Sequence, residues 1–254
     1  MTTMPGDTPV IWCADMCRNH GGSIAVAREM VHQASLAGAT MVKFQADDGL
    51  LRWWRFEGIQ EAKILGLLTS VTVREEADVE INTDWLKIGS GECLNRGILT
   101  AVMRSEKPWI ISTGCTTRAE YDEIALFADG IMCECVSSYP NEPSEIRLGF
   151  LREQIKERLM GYSDHMPDDS MALAAVALGA VYIEKHLSLD PLRRDLNHSS
   201  SISPAAFQAM TRKGNGIAAA MKNTEKEVLP REVTTGKLAE YRQKYTSEPI
   251  CTSI

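Results

Sequence analysis

The chain has 254 residues, of which 44% are hydrophobic and 24% are charged, and its formal net charge is −7. This size and composition suit one large α/β domain as well as two small ones, whereas the acidic charge argues against a nucleic-acid-binding surface. The start of the sequence is polar, and no apolar run is long enough to span a bilayer, so we expect a cytoplasmic protein with no membrane partner. The seven scattered cysteines are typical of small core residues in a reducing compartment.

Strand and helix patterns alternate along the chain with short connections between them. Eight apolar strands are predicted, over residues 10–15, 39–45, 67–72, 85–92, 108–114, 130–138, 161–165 and 181–187. Helices are predicted over residues 23–37, 47–66, 95–105, 117–128, 143–158 and 204–227, with one more helix, rich in Ala and Leu, between the last two strands.

Polar residues gather at the carboxyl ends of these predicted strands. A doubly wound open sheet would also alternate strands with helices, but a barrel explains why every strand ends in polar residues. The sequence therefore predicts an α/β fold of the (β/α)8 TIM barrel type over residues 1–228, with a short C-terminal tail or arm over residues 229–254. The polar strand-end residues are Asp15, Lys43, Gln45, Ser70, Thr72, Lys87, Ser90, Ser112, Thr113, Ser137, Ser163, His165, Glu184 and His186.

Two histidines at consecutive strand ends indicate a metal site. His165 ends the seventh predicted strand and His186 ends the eighth. Neighbouring parallel strands lie about 5 Å apart, so two imidazoles at matching depths would share one divalent metal. The alternative is one structural histidine and one exposed histidine, which is the commoner arrangement for an arbitrary pair. Their placement on consecutive strand ends favours the metal.

Two lysines, Lys43 and Lys87, lie within otherwise apolar strands. A buried ammonium needs a charged partner, which is either a bound phosphate or a carboxylate such as Glu92 or Glu184. Two lysines together with five hydroxyl groups favour the phosphate. There is no P-loop and no GxGxxG after the first strand, so a nucleotide cofactor is not indicated. The five hydroxyl groups belong to Ser70, Ser90, Ser112, Ser137 and Ser163.

The motifs NHGGS, VKFQ, LKIGSGE, ISTGC, CVSSYPNEP, GYSDH and EKH follow one another in this order. Over residues 10–221 the chain resembles the sialic acid synthase family, in a short form that lacks the C-terminal antifreeze-like domain. The resemblance implies condensation of phosphoenolpyruvate with an N-acyl-mannosamine-type amino sugar, giving a sialic-acid-type nonulosonate and phosphate. It also implies a divalent metal, usually manganese or magnesium, and association as a homodimer.

The resemblance also implies roles for individual residues. His165 and His186 match the two histidine ligands of the metal, and Asp15 falls where the family has a catalytic glutamate. In the implied reaction the methylene carbon of phosphoenolpyruvate attacks the metal-activated sugar aldehyde. Water, deprotonated by Asp15 or with the help of the metal, then adds before phosphate leaves. The residues implied to bind the substrates are Asn19, Lys43, Gln45, Ser70, Lys87, Ser90, Ser112, Ser137, Ser163 and Asn197.

Three features depart from the family pattern. Asp15 is one methylene shorter than glutamate, which draws its carboxylate back by about 1.5 Å, and a misplacement of about 1 Å costs about 100-fold in rate. Asn197 stands where the family has an aspartate and cannot act as a base at neutral pH, although Asp195 and His198 lie close by. The chain is also short between the second and fourth strands, where only residues 78–82 stand in place of an expected full helix.

These departures leave two other functions open. One is another enzyme of this kind, either a phosphoenolpyruvate-condensing synthase that makes 3-deoxy-sugar acids or a metal-dependent lyase that runs the reverse cleavage. The other is a non-catalytic sugar- or phosphate-binding relative. Two alternatives, an acceptor-sugar site and an oligomer interface, also stay open for one group of residues. The group consists of Arg52, Trp53, Trp54 and Arg55.

Overall fold

The structure is a computed structural model that describes residues 9–46, 49–190, 192–193, 197–234, 236, 240 and 244. The chain divides into two compact units, Met1–Lys222 and Asn223–Ile254, and the predicted boundary between residues 228 and 229 stays a prediction. In the second unit the described residues include one short helix, α9 (Pro230–Thr234). The tail sequence also predicts one possible helix over residues 237–245, most of which lies outside the described residues.

Eight parallel strands close into a barrel in chain order, with the last strand hydrogen-bonded to the first. This arrangement confirms the predicted (β/α)8 barrel. The strands are β1 (Ile11–Asp15), β2 (Met41–Gln45), β3 (Leu68–Val73), β4 (Trp85–Ile88), β5 (Trp109–Ser112), β6 (Ile131–Cys135), β7 (Met160–Asp164) and β8 (Tyr182–His186).

Alternation of side chains along each strand separates two apolar layers. In β1, Trp12 and Ala14 pack in the large core between the strands and the surrounding helices. Cys13 belongs instead to the small cluster inside the barrel, together with Met41 and Tyr182. Because side chains alternate with a period of two, Asp15 points to the same side as Cys13. The last inward position of each strand therefore brings polar groups to the barrel mouth.

Helices cover the outside of the barrel, and most begin at a residue suited to capping. Ser23, Asn95, Thr117 and Ser203 each accept a hydrogen bond from a backbone N–H of the first turn. None of the described helices is both long and apolar enough to cross a bilayer. The helices are α1 (Ile24–Leu36), α2 (Leu51–Trp53), α3 (Ile59–Ile64), α4 (Arg96–Arg104), α5 (Arg118–Ala125), α6 (Leu148–Gln154), α7 (Ser170–Leu178) and α8 (Pro204–Met221).

Two predicted helices are shorter than expected. The helix expected over residues 143–158 is divided into a 3-10 turn, Pro143–Glu145, and α6, with Ile146 extended between them. The next residue, Arg147, donates to Glu134 Oε1 at 2.8 Å and to the Cys135 carbonyl at 2.9 Å, which ties this part of the chain to β6. The helix expected over residues 204–227 ends at Met221. Between β3 and β4 the structure has one 3-10 helix, Glu76–Glu80, in agreement with the short segment noted in the sequence.

The segment between β2 and β3 contains a π-helix, Trp54–Gly58, inserted between α2 and α3. Trp53 and Trp54 are both buried, at 5% and 1% exposure, and Trp54 stacks on Phe44 with ring centroids 3.8 Å apart. Two consecutive indoles reach the core here because the wider π-turn shifts the helical register. The burial of Trp53 and Trp54 does not fit an exposed binding surface, whereas Arg52 and Arg55 beside them are exposed. For the two arginines the choice between an acceptor site and an oligomer interface stays a prediction.

Candidate active site at the barrel mouth

A cavity of about 600 Å³ lies at the carboxyl ends of the strands, and every strand contributes to its wall. This is the position at which barrel enzymes carry their active sites. The predicted site residues that line it are Asp15, Lys43, Gln45, Lys87, Ser90, Ser112, Ser137, Ser163, His165, His186 and Asn197.

Ser70 and Asn19 were also predicted as substrate-binding residues, and the described lining of the cavity includes neither of them. Ser70 pairs with Lys43 in the register of β2 and β3, and its hydroxyl is buried with no hydrogen-bond partner in the described part of the chain. The Asn19 amide donates to the Leu187 carbonyl at 2.8 Å and to Ser201 Oγ at 2.9 Å. Asn19 therefore ties the loop after β1 to the loop after β8.

Glu184 on β8 holds both lysines at the floor of the cavity. Lys43 Nζ lies 2.7 Å from Glu184 Oε1, and Lys87 Nζ lies 2.7 Å from Oε2. Ser163 Oγ donates to Oε1 at 3.0 Å, and Tyr182 Oη donates to Oε2 at 2.6 Å. The sequence analysis considered either a phosphate or a carboxylate such as Glu184 as the partner of the lysines. The structure shows that Glu184 pairs with both.

The charges at this floor stabilise one another. Burial by itself would raise the pKa of Glu184, but the ammonium groups of Lys43 and Lys87 hold it well below its usual range. Burial would lower the pKa of Lys43, but Asp15 and Glu184 raise it well above its usual range. The Glu184 carboxylate and the Lys43 ammonium are therefore both ionised at neutral pH.

Asp15, Cys17 and His186 bring three different ligand atoms together beside this floor. His186 Nε2 lies 3.3 Å from Asp15 Oδ2, and Cys17 Sγ lies 3.7 Å from the same oxygen and 3.5 Å from Nε2. Among the described residues these three form a group able to hold a metal ion. Lys43 Nζ also contacts Asp15 Oδ2 at 2.9 Å. Burial opposes ionisation of Asp15, but Lys43 and His186 hold its pKa below the ordinary value.

The two predicted histidine ligands are neighbours, with ring centroids 5.0 Å apart. His165 Nδ1 lies 2.8 Å from the Val136 carbonyl, which can only accept, so Nδ1 carries the proton and Nε2 keeps a lone pair. Burial lowers the pKa of both His165 and His186, so both rings are neutral at pH 7, as metal binding requires. The ring of Tyr139 lies over both, 4.2 Å from His165 and 5.9 Å from His186.

Hydroxyl groups from β3 to β6 and their loops form the opposite wall. A side chain on Gly114 would clash with Ser137 Oγ and would place a Cβ 2.7 Å from Ser90 Oγ, so glycine here lets the two hydroxyls converge. Ser90 Oγ accepts from the Gly114 N–H at 3.1 Å. Thr72 Oγ1 is buried and has no hydrogen-bond partner among the described residues. A buried hydroxyl facing a cavity is suited to a polar ligand.

Five residues that line this site were missed as candidate ligand-contacting groups, and two of them, Arg18 and Arg74, were not considered for it. The other three are Glu184, Cys17 and Tyr139. Glu184 was considered only as a lysine partner, Cys17 only as a core cysteine, and Tyr139 not at all. The signals were present, because Glu184 lies two residues before His186 on the same strand face and Cys17 lies two residues after Asp15. Tyr139 gave no such signal, since it lies in a loop whose path the sequence pattern does not define.

Asp195 and His198 were considered as residues that could replace the aspartate that the family has at position 197. His198 is buried, and its Nδ1 lies 2.7 Å from Ser188 Oγ, while Asp195 lies outside the described residues. Asn197 itself donates from its amide to Cys17 Sγ at 3.1 Å, so it reaches the metal-ligand group from the loop after β8.

Comparisons with known proteins point to one family. A sequence model described as the NeuB family matches residues 55–226. The N-acetylneuraminate-9-phosphate synthase of Homo sapiens is 26% identical over 271 residues, covering 90% of this chain and 76% of the relative. The N,N'-diacetyllegionaminic acid synthase of Campylobacter jejuni is 26% identical over 269 residues, covering 83% of this chain and 79% of the relative.

A solved structure supports the same architecture. The N-acetylneuraminic acid (sialic acid) synthetase from Leptospira borgpetersenii serovar Hardjo-bovis superposes with a TM-score of 0.80. The alignment covers 94% of this chain and 93% of that chain at 24% identity, a likeness that establishes the fold.

Proposed function

This chain belongs to the NeuB family, and we propose that it condenses phosphoenolpyruvate with an N-acyl-mannosamine-type amino sugar to give a nonulosonate and phosphate. The observation that carries the proposal is the pair of lysines held on Glu184 beside two neutral histidines, inside a cavity of about 600 Å³ at the barrel mouth. The lysines would bind the anionic phosphoenolpyruvate, and the histidines would hold the metal that polarises the aldehyde. The reaction needs these two groups of residues side by side.

The lysines have hydrogen-bond capacity left for phosphoenolpyruvate. An ammonium carries three N–H donors, and the contacts described above use two from Lys43 and one from Lys87. Glu184 keeps both ammonium groups in place and does not saturate them. The phosphate and carboxylate of phosphoenolpyruvate would take the remaining donors, with Ser90, Ser137 and the unsatisfied Thr72 hydroxyl completing the hydrogen bonds.

The residues beside the lysines suit a divalent metal ion. The neutral imidazoles of His165 and His186 and the ionised carboxylate of Asp15 are nitrogen and oxygen donors of the kind that Mn²⁺ and other divalent ions accept. A divalent ion bound there would supply Lewis-acid polarisation of the sugar aldehyde. Tyr139, stacked over the histidines, would limit how the sugar enters.

In the proposed reaction the methylene carbon of phosphoenolpyruvate forms a bond to the aldehyde carbon of the open-chain sugar. The aldehyde oxygen gains a proton, and positive charge develops on the carbon that carries the phosphate. Water adds to this carbon and loses one proton, which leaves a hydroxyl group beside the phosphate. The bond between this carbon and the phosphate oxygen then breaks while the hydroxyl proton passes to the departing phosphate, giving the 2-keto acid and inorganic phosphate. Lys43 and Lys87 stabilise the negative charge on the phosphate as it departs.

Asp15 would serve as the counterion of this positive charge. Because Lys43 and His186 hold its pKa below the ordinary value, the carboxylate is ionised throughout and is a weak base. Its main task in the proposed reaction is to stabilise the developing cation, and it accepts a proton only as water adds.

A phosphorylated acceptor is the second candidate substrate. Arg18 and Arg74 line the same cavity, and a guanidinium group can bind phosphate with two parallel hydrogen bonds. A phosphorylated amino sugar or a phosphorylated aldose would place its phosphate near these groups, the latter giving a 3-deoxy-sugar acid.

We also propose that the protein acts in the cytoplasm. The six cysteines in the described part of the chain are all free thiols, which is the usual state in a reducing compartment.

The experiment that tests the function is phosphate release from phosphoenolpyruvate with Mn²⁺, across N-acyl-mannosamines, their phosphates, other hexosamines and phosphorylated aldoses. We expect release only when an acceptor is present. The His186→Ala variant should lose at least about 100-fold in rate, since it removes a metal ligand. His32→Ala, which removes an exposed histidine on α1, is the matched control and should keep full activity.

Phosphate release without an acceptor, or release that survives His186→Ala, would contradict the proposal. Binding of phosphoenolpyruvate without turnover on any acceptor would favour a non-catalytic sugar- or phosphate-binding protein.

A further inference from the structure

The group formed by Asp15, Cys17 and His186 has an unusual composition for a site expected to hold Mg²⁺ or Mn²⁺. One carboxylate oxygen, one sulfur and one imidazole nitrogen point at a common centre, and all three residues are buried, at 1%, 1% and 4% exposure. They nevertheless line the cavity at the barrel mouth, so an ion can reach them. Sulfur is a soft ligand and is rarely chosen for hard ions such as Mg²⁺.

The sides of this triangle match a tetrahedral ion. The observed sides are 3.3 Å between Asp15 Oδ2 and His186 Nε2, 3.5 Å between Nε2 and Cys17 Sγ, and 3.7 Å between Sγ and Oδ2. For tetrahedral Zn²⁺ with ordinary bond lengths, the expected sides are about 3.3 Å between oxygen and nitrogen and about 3.5 Å from either atom to sulfur. Octahedral Mg²⁺ would require sides of about 3.0 Å.

The surrounding hydrogen bonds prepare each atom for coordination. The other nitrogen of His186, Nδ1, lies 3.4 Å from Ser200 Oγ, an arrangement that leaves Nε2 to face the ion. The amides of Gln45 and Asn197 donate toward Cys17 Sγ at 3.4 Å and 3.1 Å. Amide N–H groups only donate, so these contacts suit a sulfur that accepts, both as the thiol of the metal-free protein and as a thiolate once a metal is bound.

We propose that Cys17 is a thiolate ligand of the metal ion that Asp15 and His186 also bind, and that the site therefore prefers Zn²⁺, Co²⁺ or Fe²⁺ to Mg²⁺. The inference deepens the proposed function and rests on it for the location of the site. On binding, the sulfur–metal bond replaces the S–H bond, and the proton passes to solvent. The fourth position is left to substrate or to a residue outside the triangle.

The backbone at Cys17 provides a clean way to remove the sulfur. Cys17 has a φ of 47°, in the left-handed region where glycine is the least strained residue. The Cys17→Gly variant therefore removes the ligand without demanding a new backbone conformation, while Cys17→Ser keeps a similar shape. Cys135→Ser is the matched control, because Cys135 lines the same cavity but lies against Ser90 and Ser137.

The experiment is a titration of the purified protein and the three variants with Co²⁺, followed by ultraviolet and visible absorption. A thiolate bound to Co²⁺ gives an intense sulfur-to-metal charge-transfer band. We expect the band in the wild type and in Cys135→Ser, and its loss in Cys17→Ser and Cys17→Gly. Competition against a chromophoric chelator should show Zn²⁺ bound at least about 10-fold more weakly by both Cys17 variants, with Mg²⁺ affinity changed less than about threefold.

The inference is overturned if the wild type takes up Co²⁺ without this band, fails to take it up at all, or if either Cys17 variant keeps the band. Circular dichroism shows whether each variant is folded, and Cys17→Gly keeps the test decisive if Cys17→Ser is not. Phosphate release measured separately distinguishes the two proposals. Turnover without a thiolate band would contradict the assignment of Cys17 as a ligand and support the proposed function. A thiolate band without turnover would support Cys17 as a ligand and contradict the proposed function.

Discussion

Two consecutive residues of β8 carry buried charges on opposite sides of the barrel wall. Glu184 points inward and binds Lys43 and Lys87 at the floor of the cavity. Lys185 points outward and binds Asp164 Oδ2 at 2.7 Å, with both charged side chains fully buried. The same strand therefore supports an inner and an outer charge cluster, separated only by the alternation of side chains.

The two clusters differ in how completely their hydrogen bonds are used. Lys185 donates to Asp164, to the Met166 carbonyl and to the Asp168 carbonyl, so all three of its N–H groups have acceptors. The inner ammonium groups have donors left, and those donors face an open cavity. Both clusters bury charge, but only the inner one has unused N–H donors that face a cavity. This difference is the reason for proposing a binding site at the inner cluster.

The outer cluster is expected to act on stability. Lys185→Met would leave the Asp164 carboxylate buried without its cation, and we expect the free energy of unfolding to fall by about 3–5 kcal/mol. Urea denaturation measures this loss. Because Lys185 does not line the cavity, the KM for phosphoenolpyruvate of the folded variant should stay unchanged. A variant that keeps its stability but loses phosphoenolpyruvate binding would contradict the division into two clusters.

The inner cluster is expected to act on catalysis. Lys87→Met removes one charge from the phosphate site, and we expect kcat for phosphate release to fall by about 100-fold to 1,000-fold, the usual cost of losing one preorganised donor. Glu184 would still contact Lys43, Ser163 and Tyr182. The free energy of unfolding should therefore fall less in Lys87→Met than in Lys185→Met. Steady-state kinetics and urea denaturation of the two variants, measured together, give the comparison. Equal losses of stability with unchanged kcat would contradict it.

Much of the fold could be predicted because the signals were local. Eight apolar strands alternate with helical segments, and the polar strand ends indicated one mouth, as the closed barrel confirms. The match to the NeuB family likewise confirms the resemblance read from the motifs. The buried tryptophans were misjudged for a local reason too, because helical periodicity does not reveal a π-turn that rotates Trp53 and Trp54 into the core.

The details of the site depend on contacts between distant segments. Sequence spacing places Asp15 and His186 at strand ends, but only the register of β1 against β8 puts them side by side. Cys17 meets Gln45, His186 and Asn197 through three separate loops or strands, which no local pattern encodes. The roles of the individual residues in catalysis and substrate binding stay predictions.

A third buried acidic residue, Glu134, lies on the outer face of β6, and its cationic partner is less buried than those of Glu184 and Asp164. Its cation, Arg147, lies 2.8 Å away but has a side chain that is 47% exposed. Burial raises the pKa of Glu134 from 4.5 to about 7, and Arg147 opposes this shift only in part. Unlike Glu184, this carboxylate is held close to its neutral form.

The raised pKa makes stability depend on pH in a defined direction. The folded state holds the Glu134 proton up to pH of about 7, while the unfolded state releases it near pH 4.5, so stability is highest below the unfolded value and falls as pH rises between the two. Glu134→Gln removes this loss. We expect the variant to gain about 1–3 kcal/mol relative to the wild type on going from pH 5 to pH 8. Urea denaturation at both pH values measures the gain, with Glu123→Gln, an exposed glutamate on α5, as control. The same difference between variant and wild type at both pH values would show that Glu134 is ionised in the fold, and that a half-exposed arginine suffices to hold a buried carboxylate charged.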